Sequence, residues 1–283
     1  MIPAIPAAIG VRSRRPLWAV ASLAVVAYTL LPLLWLVSLS LKSPATLTDK
    51  RLWPVDPTLA NYRSVVGSAL FTRALLNSVA VAALTTLLAV GVATLAAYAL
   101  TRLSFRGKGL VLPLTLAVAV LPPVAVVGPL FEAWRRIGLF DTWLGLVIPY
   151  LSFALPLAMW TLTAYFRGVP WEMGSIAQAD GATRWQAFRR VLVPLARPGV
   201  LTAAILVFLF SWNDFLLASS LTSSTRSVTV PAALAFFPGE AQFTQPVGSI
   251  AAAAVLVTVP VVVTVLVFQR RLVAALTAGV VTR

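Results

Sequence analysis

Six long apolar runs, at residues 17–41, 71–100, 110–131, 143–166, 200–221 and 248–268, leave this chain few ways to fold. Each is long enough to cross a bilayer, whose roughly 30 Å hydrocarbon core takes about 20 apolar residues at 1.5 Å rise. In lipid every backbone N–H needs a partner within the chain, so the runs must be helices. Composition agrees: 60% of the 283 residues are hydrophobic and only 11% charged, where a soluble domain carries about a quarter charged residues. The expected fold is an all-α polytopic membrane protein with six transmembrane helices. Residues 1–16 form an N-terminal tail, 17–269 the membrane domain and 270–283 a C-terminal tail.

The first run follows Arg12, Arg14 and Arg15 but is too long for a signal-peptide core and has no small-residue cleavage site after it. It reads as an uncleaved span. Asn77, Ser78, Thr85 and Thr86 mark one face of the second run as facing protein. The third contains Pro113, Pro122, Pro123 and Pro129. These must distort it and free carbonyls that neighbours have to satisfy, which predicts a place inside the bundle. Fourteen Lys and Arg residues fall on the side of the N-terminus and eight on the other, so the positive-inside rule puts both termini in the cytoplasm of a cell-membrane protein. The net charge of +14 is spread in short patches beside apolar runs; it reads as topology and lipid contact, not as a nucleic-acid surface. Cysteine and histidine are absent, which removes thiol nucleophiles, the usual zinc ligands and the ordinary general base near neutral pH. No metal site and no catalytic residue is expected.

One connecting segment, residues 167–198, looks folded. Pro170 suits a first helical turn and Glu172 complements the positive end of that helix. Met173, Ile176 and Ala177 then fall at i, i+3 and i+4, a short apolar stripe. Gly181, after Asp180, permits a left-handed stop. Thr183 with Gln186 three residues on is a capping box opening a second helix, on which Trp185, Phe188 and Leu192 share a face and which Pro194 is expected to end.

The stretch P-W-E-M-G-S-I-A-Q-A-D-G-A-T-R-W-Q-A-F-R-R-V-L-V-P-L-A-R-P resembles the coupling loop, or EAA loop, of ABC importer permeases. Other stretches resemble the maltose-type carbohydrate subfamily in the same order: P-T-L-A-N-Y, N-S-V-A-V-A, A-Y-A-L-T-R-L-S-F-R-G-K, L-P-P-V-A-V-V, G-L-F-D-T, F-S-W-N-D-F and Q-R-R-L-V-A-A-L-T-A-G-V-V. The likeness is colinear over nearly the whole chain. It implies a type-I permease fold, with a core at about 71–269, that moves a sugar, most simply a disaccharide or oligosaccharide. It further implies that the first loop helix docks into a groove on a cytoplasmic ATPase, with Glu172, Met173, Ser175, Ile176, Ala177, Asp180, Gly181, Phe188 and Pro194 as the coupling residues. The tail residues Leu276, Thr277, Ala278 and Gly279 would reach between the ATPase subunits. The implied partners are a second, homologous permease, two ATPases, an extracytoplasmic solute-binding protein and membrane lipid. The chain has no G-x-x-x-x-G-K-S/T phosphate loop, so ATP and magnesium would belong to the ATPases and this chain would bind no cofactor.

Ser175 stands where the family has the Glu of Glu-Ala-Ala, and Glu172, one turn away, is a substitute carboxylate. Asp214 is the only carboxylate within a run; with Asn213 it either lines the outer part of a translocation path or gate, or ties helices together. Tryptophans 134, 143 and 212 read as interfacial anchors before sugar-stacking platforms, and Arg102, Arg106 and Lys108 as topology determinants and lipid-phosphate partners. The loop's exposed apolar set is expected to be Trp171, Met173, Ile176, Trp185 and Phe188. Three readings compete: a permease for another solute, such as glycerol phosphate or a polyamine; a secondary transporter, which would carry midmembrane coupling carboxylates and internal repeats; and a membrane-embedded enzyme, for instance one acting on lipid-linked sugar.

Overall fold

The computed structural model describes residues 15–170, 172–235 and 247–278, and among these it is helical with no strand. The helices are α1 (Arg15–Leu41), α2 (Ala60–Gly67), α3 (Ala69–Arg102), α4 (Lys108–Val120), α5 (Pro123–Ile137), α6 (Trp143–Gly168), α7 (Glu172–Ala179), α8 (Arg184–Ala187), α9 (Val193–Leu195), α10 (Arg197–Asn213), α11 (Leu216–Leu221), α12 (Val230–Ala235) and α13 (Val247–Ala278). Four are long and apolar enough to cross a membrane alone, and up to six spans result if each of two bent pairs counts as one.

The first bent pair is the third run. Instead of one distorted helix, α4 and α5 meet at 86°. Leu121 precedes Pro122 and is extended, because a residue before proline is pushed out of the helical region. The expectation that this run lies inside the bundle fails, since no residue of α4 or α5 is buried. The second is at the fifth run. Its helix stops at Asn213, Asp214 is extended and α11 begins afresh, while a 73° bend separates the stretch up to Leu195 from α10. The last helix runs beyond residue 268 to Ala278, since nothing between them breaks a helix.

The chain forms two compact units. In the first, which holds α1, most of α2 and the start of α13, the residue after α1 is anchored by a fully buried lysine. Lys42 Nζ donates to the carbonyls of Asp49 (2.5 Å) and Arg51 (2.8 Å) and lies 4.9 Å from the centre of the Trp35 ring. Asn61 Nδ2 donates to Ser40 O and Lys42 O, both at 2.9 Å, and Tyr62 shares a 2.7 Å hydrogen bond with Ser40 Oγ. The motif P-T-L-A-N-Y thus closes the end of α1, whose last carbonyls have no helical partner.

The second unit is built on α3 and α6 packed along each other, with α10 against both. Ser68 and Thr142 cap the starts of α3 and α6 by accepting from Phe71 N and Gly145 N. Ala89, Ala93 and Ala97 form a fully buried stripe on α3 facing Ala154, Ala158, Leu162 and Phe166 of α6 and Ala203 and Val207 of α10. Small side chains let membrane helices approach closely. Contact is closer still where α10 begins: a Cβ at Gly199 would lie 2.3 Å from Cγ of Tyr165.

Candidate functional site

Residues 167–198 leave α6 and return into α10 as two limbs. On the first limb α7 ends in a closed turn. Ala182 N donates to Ala177 O (2.9 Å) and Gly181 N to Gln178 O (3.0 Å), with Gly181 at φ +92°. This is the paired 6→1 and 5→2 bonding that satisfies a helix's last carbonyls and asks for glycine. Thr183 then opens the second limb with both capping-box bonds in place: Gln186 N to Thr183 Oγ1 (3.2 Å) and Thr183 N to Gln186 Oε1 (2.9 Å). The limb does not stop at Pro194. A π turn over Phe188–Leu192 carries it to Leu195. The wider turn relieves the clash that the proline ring would make with the carbonyl four residues back.

Burial sorts the loop's side chains into an inner and an outer set. Gly174 is the one buried residue of α7 and rests on Leu192. Phe188 is buried too, a correction to its expected exposure, because its ring packs 4.8 Å from Tyr98 of α3. Met173 (42%), Ile176 (56%) and Trp185 (58%) remain open, as do Glu172, Ser175 and Asp180, with Ala177 half-buried. Pro194 is exposed. Trp171 and Gly279 lie outside the described residues; Leu276, Thr277 and Ala278 form the last turn of α13, where only the backbone is described.

Arg102 is not left free for lipid. Its Nη2 donates to Phe166 O (3.2 Å) and to Val169 O, at the end of α6. Lys108 Nζ likewise donates to Leu103 O (2.8 Å), just past α3.

At the opposite end of the unit, Asp141 is a non-glycine residue at φ 57°. Its Oδ1 accepts from Ser223 N (3.0 Å), Ser224 N (3.1 Å) and Ser227 Oγ (2.6 Å), and its Oδ2 from Ser224 Oγ (2.5 Å). Burial works against its charge, but the Ser224 and Ser227 hydroxyls and the Ser223 and Ser224 amides outweigh it and hold the carboxyl below its ordinary value. Asn77 Nδ2 donates to Thr225 O (3.2 Å) and Val228 O (2.9 Å) while its Oδ1 accepts from Trp143 Nε1 (3.0 Å). Ser78 Oγ accepts from Val230 N (2.8 Å).

Asp214 sits at the break after α10, where Oδ2 accepts from Tyr150 OH (2.8 Å) and Ala218 N (3.1 Å). It therefore ties α6 to α11. Asn213 is exposed and donates to Leu209 O of its own helix (2.7 Å). Trp134 donates to Gly145 O, and Trp212 is buried and stacked on Phe208, so these rings are protein-facing. No His, Cys, Asp and Glu group able to hold a metal occurs among the described residues.

Over residues 89–278 the chain matches the family described as binding-protein-dependent transport system inner membrane component. It is 52% identical over 268 residues to the trehalose transport system permease protein SugB of Mycobacterium tuberculosis (strain CDC 1551 / Oshkosh), covering 95% of this chain and 98% of that protein. Against the trehalose/maltose transport system permease protein MalG of Thermococcus litoralis the identity is 35% over 252 residues, 88% of this chain and 90% of that one. The fold is similar to that of a bacterial ABC transporter involved in the import of the acidic polysaccharide alginate, with a TM-score of 0.75 at 24% identity over 93% of this chain and 99% of that chain. The chain belongs to the binding-protein-dependent transport system inner membrane components, as a multi-pass membrane permease component.

Proposed function

We propose that this chain is one of two membrane-spanning subunits of an ATP-driven sugar importer, with α7 as the element that docks on a cytoplasmic ATPase. The observation that carries the reading is the loop itself. Its backbone is closed by caps on both sides of the turn between α7 and α8, yet Met173 and Ile176 stay open on α7, and Trp185 on the second limb. A rigidly folded apolar stripe is a surface for a partner. Trehalose and maltose in the names of the relatives support a disaccharide as the solute.

Both termini and the loop are then cytoplasmic, as the Lys and Arg bias favours, and the Asp141 end faces outward toward a solute-binding protein. ATP and magnesium are handled by two ATPase subunits. A second permease completes the pathway. Its need is supported by residues 18–34 of α1 being exposed and by an open, mostly apolar groove of about 770 Å³ lined by α3, the second loop limb and α10.

Co-expression tests the reading. The chain should co-purify with an ATPase and a second permease in matching amounts, and thermal-shift screening of the binding protein should single out a sugar. A transport-competent homo-oligomer without ATPase would overturn the assignment. Transport that survives loss of the ATPase but collapses with an uncoupler would establish the secondary transporter instead.

A further inference from the structure

We propose that α3 is the rod that carries displacement of the loop at residues 167–198 to the far end of the unit. Tyr98 and Arg102 are its grip on the loop, and Asn77 and Ser78 its grip on residues 225–230. The inference rests on the reading of that loop as the ATPase-docking element.

The inner grip holds both limbs. Arg102 Nη2 donates to Phe166 O and Val169 O, on either side of the point where the first limb leaves α6. These carbonyls lie at the C-terminal end of α6, where Phe166 O otherwise takes only the long bond from Val169 N (3.4 Å) and a cation is favoured. One turn earlier on the same face of α3, Tyr98 packs against Phe188 of the second limb, ring centres 4.8 Å apart. Arg102 Nε is buried as well, so the guanidinium lies against protein and not out in lipid.

The outer grip is equally direct. Asn77 Nδ2 holds Thr225 O and Val228 O, and Ser78 Oγ holds Val230 N. From Asn77 to Arg102 the helix spans about 37 Å. Of the four helices able to cross a membrane alone, α3 is the one with no internal proline; α1 has Pro32, α6 has Pro149 and Pro156, and α13 has Pro260. Prolines are a common cause of sharp kinks, and α3 runs as one unbroken helix between the two ends. A helix tethered by polar bonds at one end and by a ring contact and a guanidinium at the other moves both loops together.

The assembled complex with its ATPases, second permease and binding protein provides the test. Arg102→Gln and Tyr98→Leu should each leave subunit composition and basal ATP hydrolysis intact and lower binding-protein-stimulated hydrolysis at least tenfold. Asn77→Ala, at the other end, should do the same. The pair Tyr98→Leu/Asn77→Ala should fall no further than the worse single change, because both cut one link. The chain has no cysteine, so labels at Gln178→Cys and Val92→Cys can report the distance from loop to rod in cysteine-free partners. That distance should stay fixed between nucleotide-free and ATP-bound states, and broaden in Arg102→Gln. Arg102→Lys keeps the charge and loses the planar fork, and should behave like Arg102→Gln; full stimulation in it would mean that Arg102 only neutralises a helix end. Full stimulation in a normally composed Tyr98→Leu complex, or losses that multiply in the double variant, would overturn the rod alone. A wild-type chain that recruits no ATPase would overturn the docking reading first, and the rod with it.

Discussion

At the outer end of the second unit the loops answer to each other: Asp141 takes four hydrogen bonds from residues 223–227, and Asn77 and Ser78 pin residues 225–230. At the loop end the two limbs are joined by local bonds, the turn at Gly181 and the box at Thr183, with Arg102 holding the root of the first limb, while three large apolar side chains stay open. The outer face is therefore finished by its own chain. The loop end closes its backbone and buries Phe188 against Tyr98, but leaves Met173, Ile176 and Trp185 open. The proposed docking on an ATPase asks for a closed backbone and an open apolar surface, and of the two ends only the loop end combines them.

The largest effect should come from breaking the stiff turn at the inner end. A Cβ at Gly181 would meet nothing within 4 Å, so the cost of a side chain lies in the backbone. At φ +92° a branched residue costs about 1 kcal/mol or more. Gly181→Val should abolish import while insertion and expression survive, leaving a complex that forms weakly or hydrolyses ATP without stimulation by the binding protein. Full import by that variant in a normally composed complex would show that the turn does not transmit the motion.

Next is the outer stitch. Asp141→Ala removes the acceptor for two hydroxyls and two amides, one of them on fully buried Ser227, and should cost about 2 kcal/mol or more of stability. Thermal unfolding of the complex would read it. Because the folded carboxyl titrates below its ordinary range, its contribution is present above about pH 4 and is lost as pH falls through the folded value. The stability gap between wild type and Asp141→Ala should hold at neutral pH and close in acid. A gap independent of pH would mean that the carboxylate charge is not what holds the loop.

Asp214 stands between the two ends and should respond more weakly. Asp214→Asn retains an oxygen that can accept from Tyr150 OH and Ala218 N, so assembly and most transport should persist, whereas Asp214→Ala should lower thermal stability. Loss of transport in a stable Asp214→Asn complex would instead place the charge in the pathway. Smallest of all is Ser175→Glu. The site is exposed, and substitutions of that kind usually stay within about 0.5 kcal/mol. Stimulated ATP hydrolysis should be unchanged or modestly raised, and a severe loss would show that the ATPase groove offers no basic partner here.

What could be read from the sequence was local. The four uninterrupted spans follow from length and hydropathy, and the loop's two limbs from signals within a few residues of one another. The turn at Gly181 and the capping box needed no knowledge of the rest of the chain. What escaped depends on partners far away in sequence. Arg102, which alone reads as a topology and lipid charge, meets Phe166 and Val169; Asp141, which alone carries no role, meets residues 223–227; and Tyr150 decides for Asp214 between the two readings in favour of the tie between helices. Periodicity gives Phe188 a face but not which face is covered, and Tyr98 covers it. Pro194 was read as a stop because a π turn leaves no mark in the sequence. The motifs G-L-F-D-T and P-T-L-A-N-Y could be picked out by likeness, but the reasons for Asp141 and Asn61 appear only with their hydrogen bonds.

Gly199 gives the loop the character of a handle whose two roots are pressed together. One root is the last turns of α6, carrying Tyr165, and the other is the first turn of α10, where even a methyl group would sit 2.3 Å from the tyrosine ring. A handle with slack at its roots absorbs a sideways push by letting them slip. Here there is no clearance for a methyl group, so on the docking reading a push on the loop is shared by α6 and α10, and the absence of a single carbon atom is what lets the two roots meet.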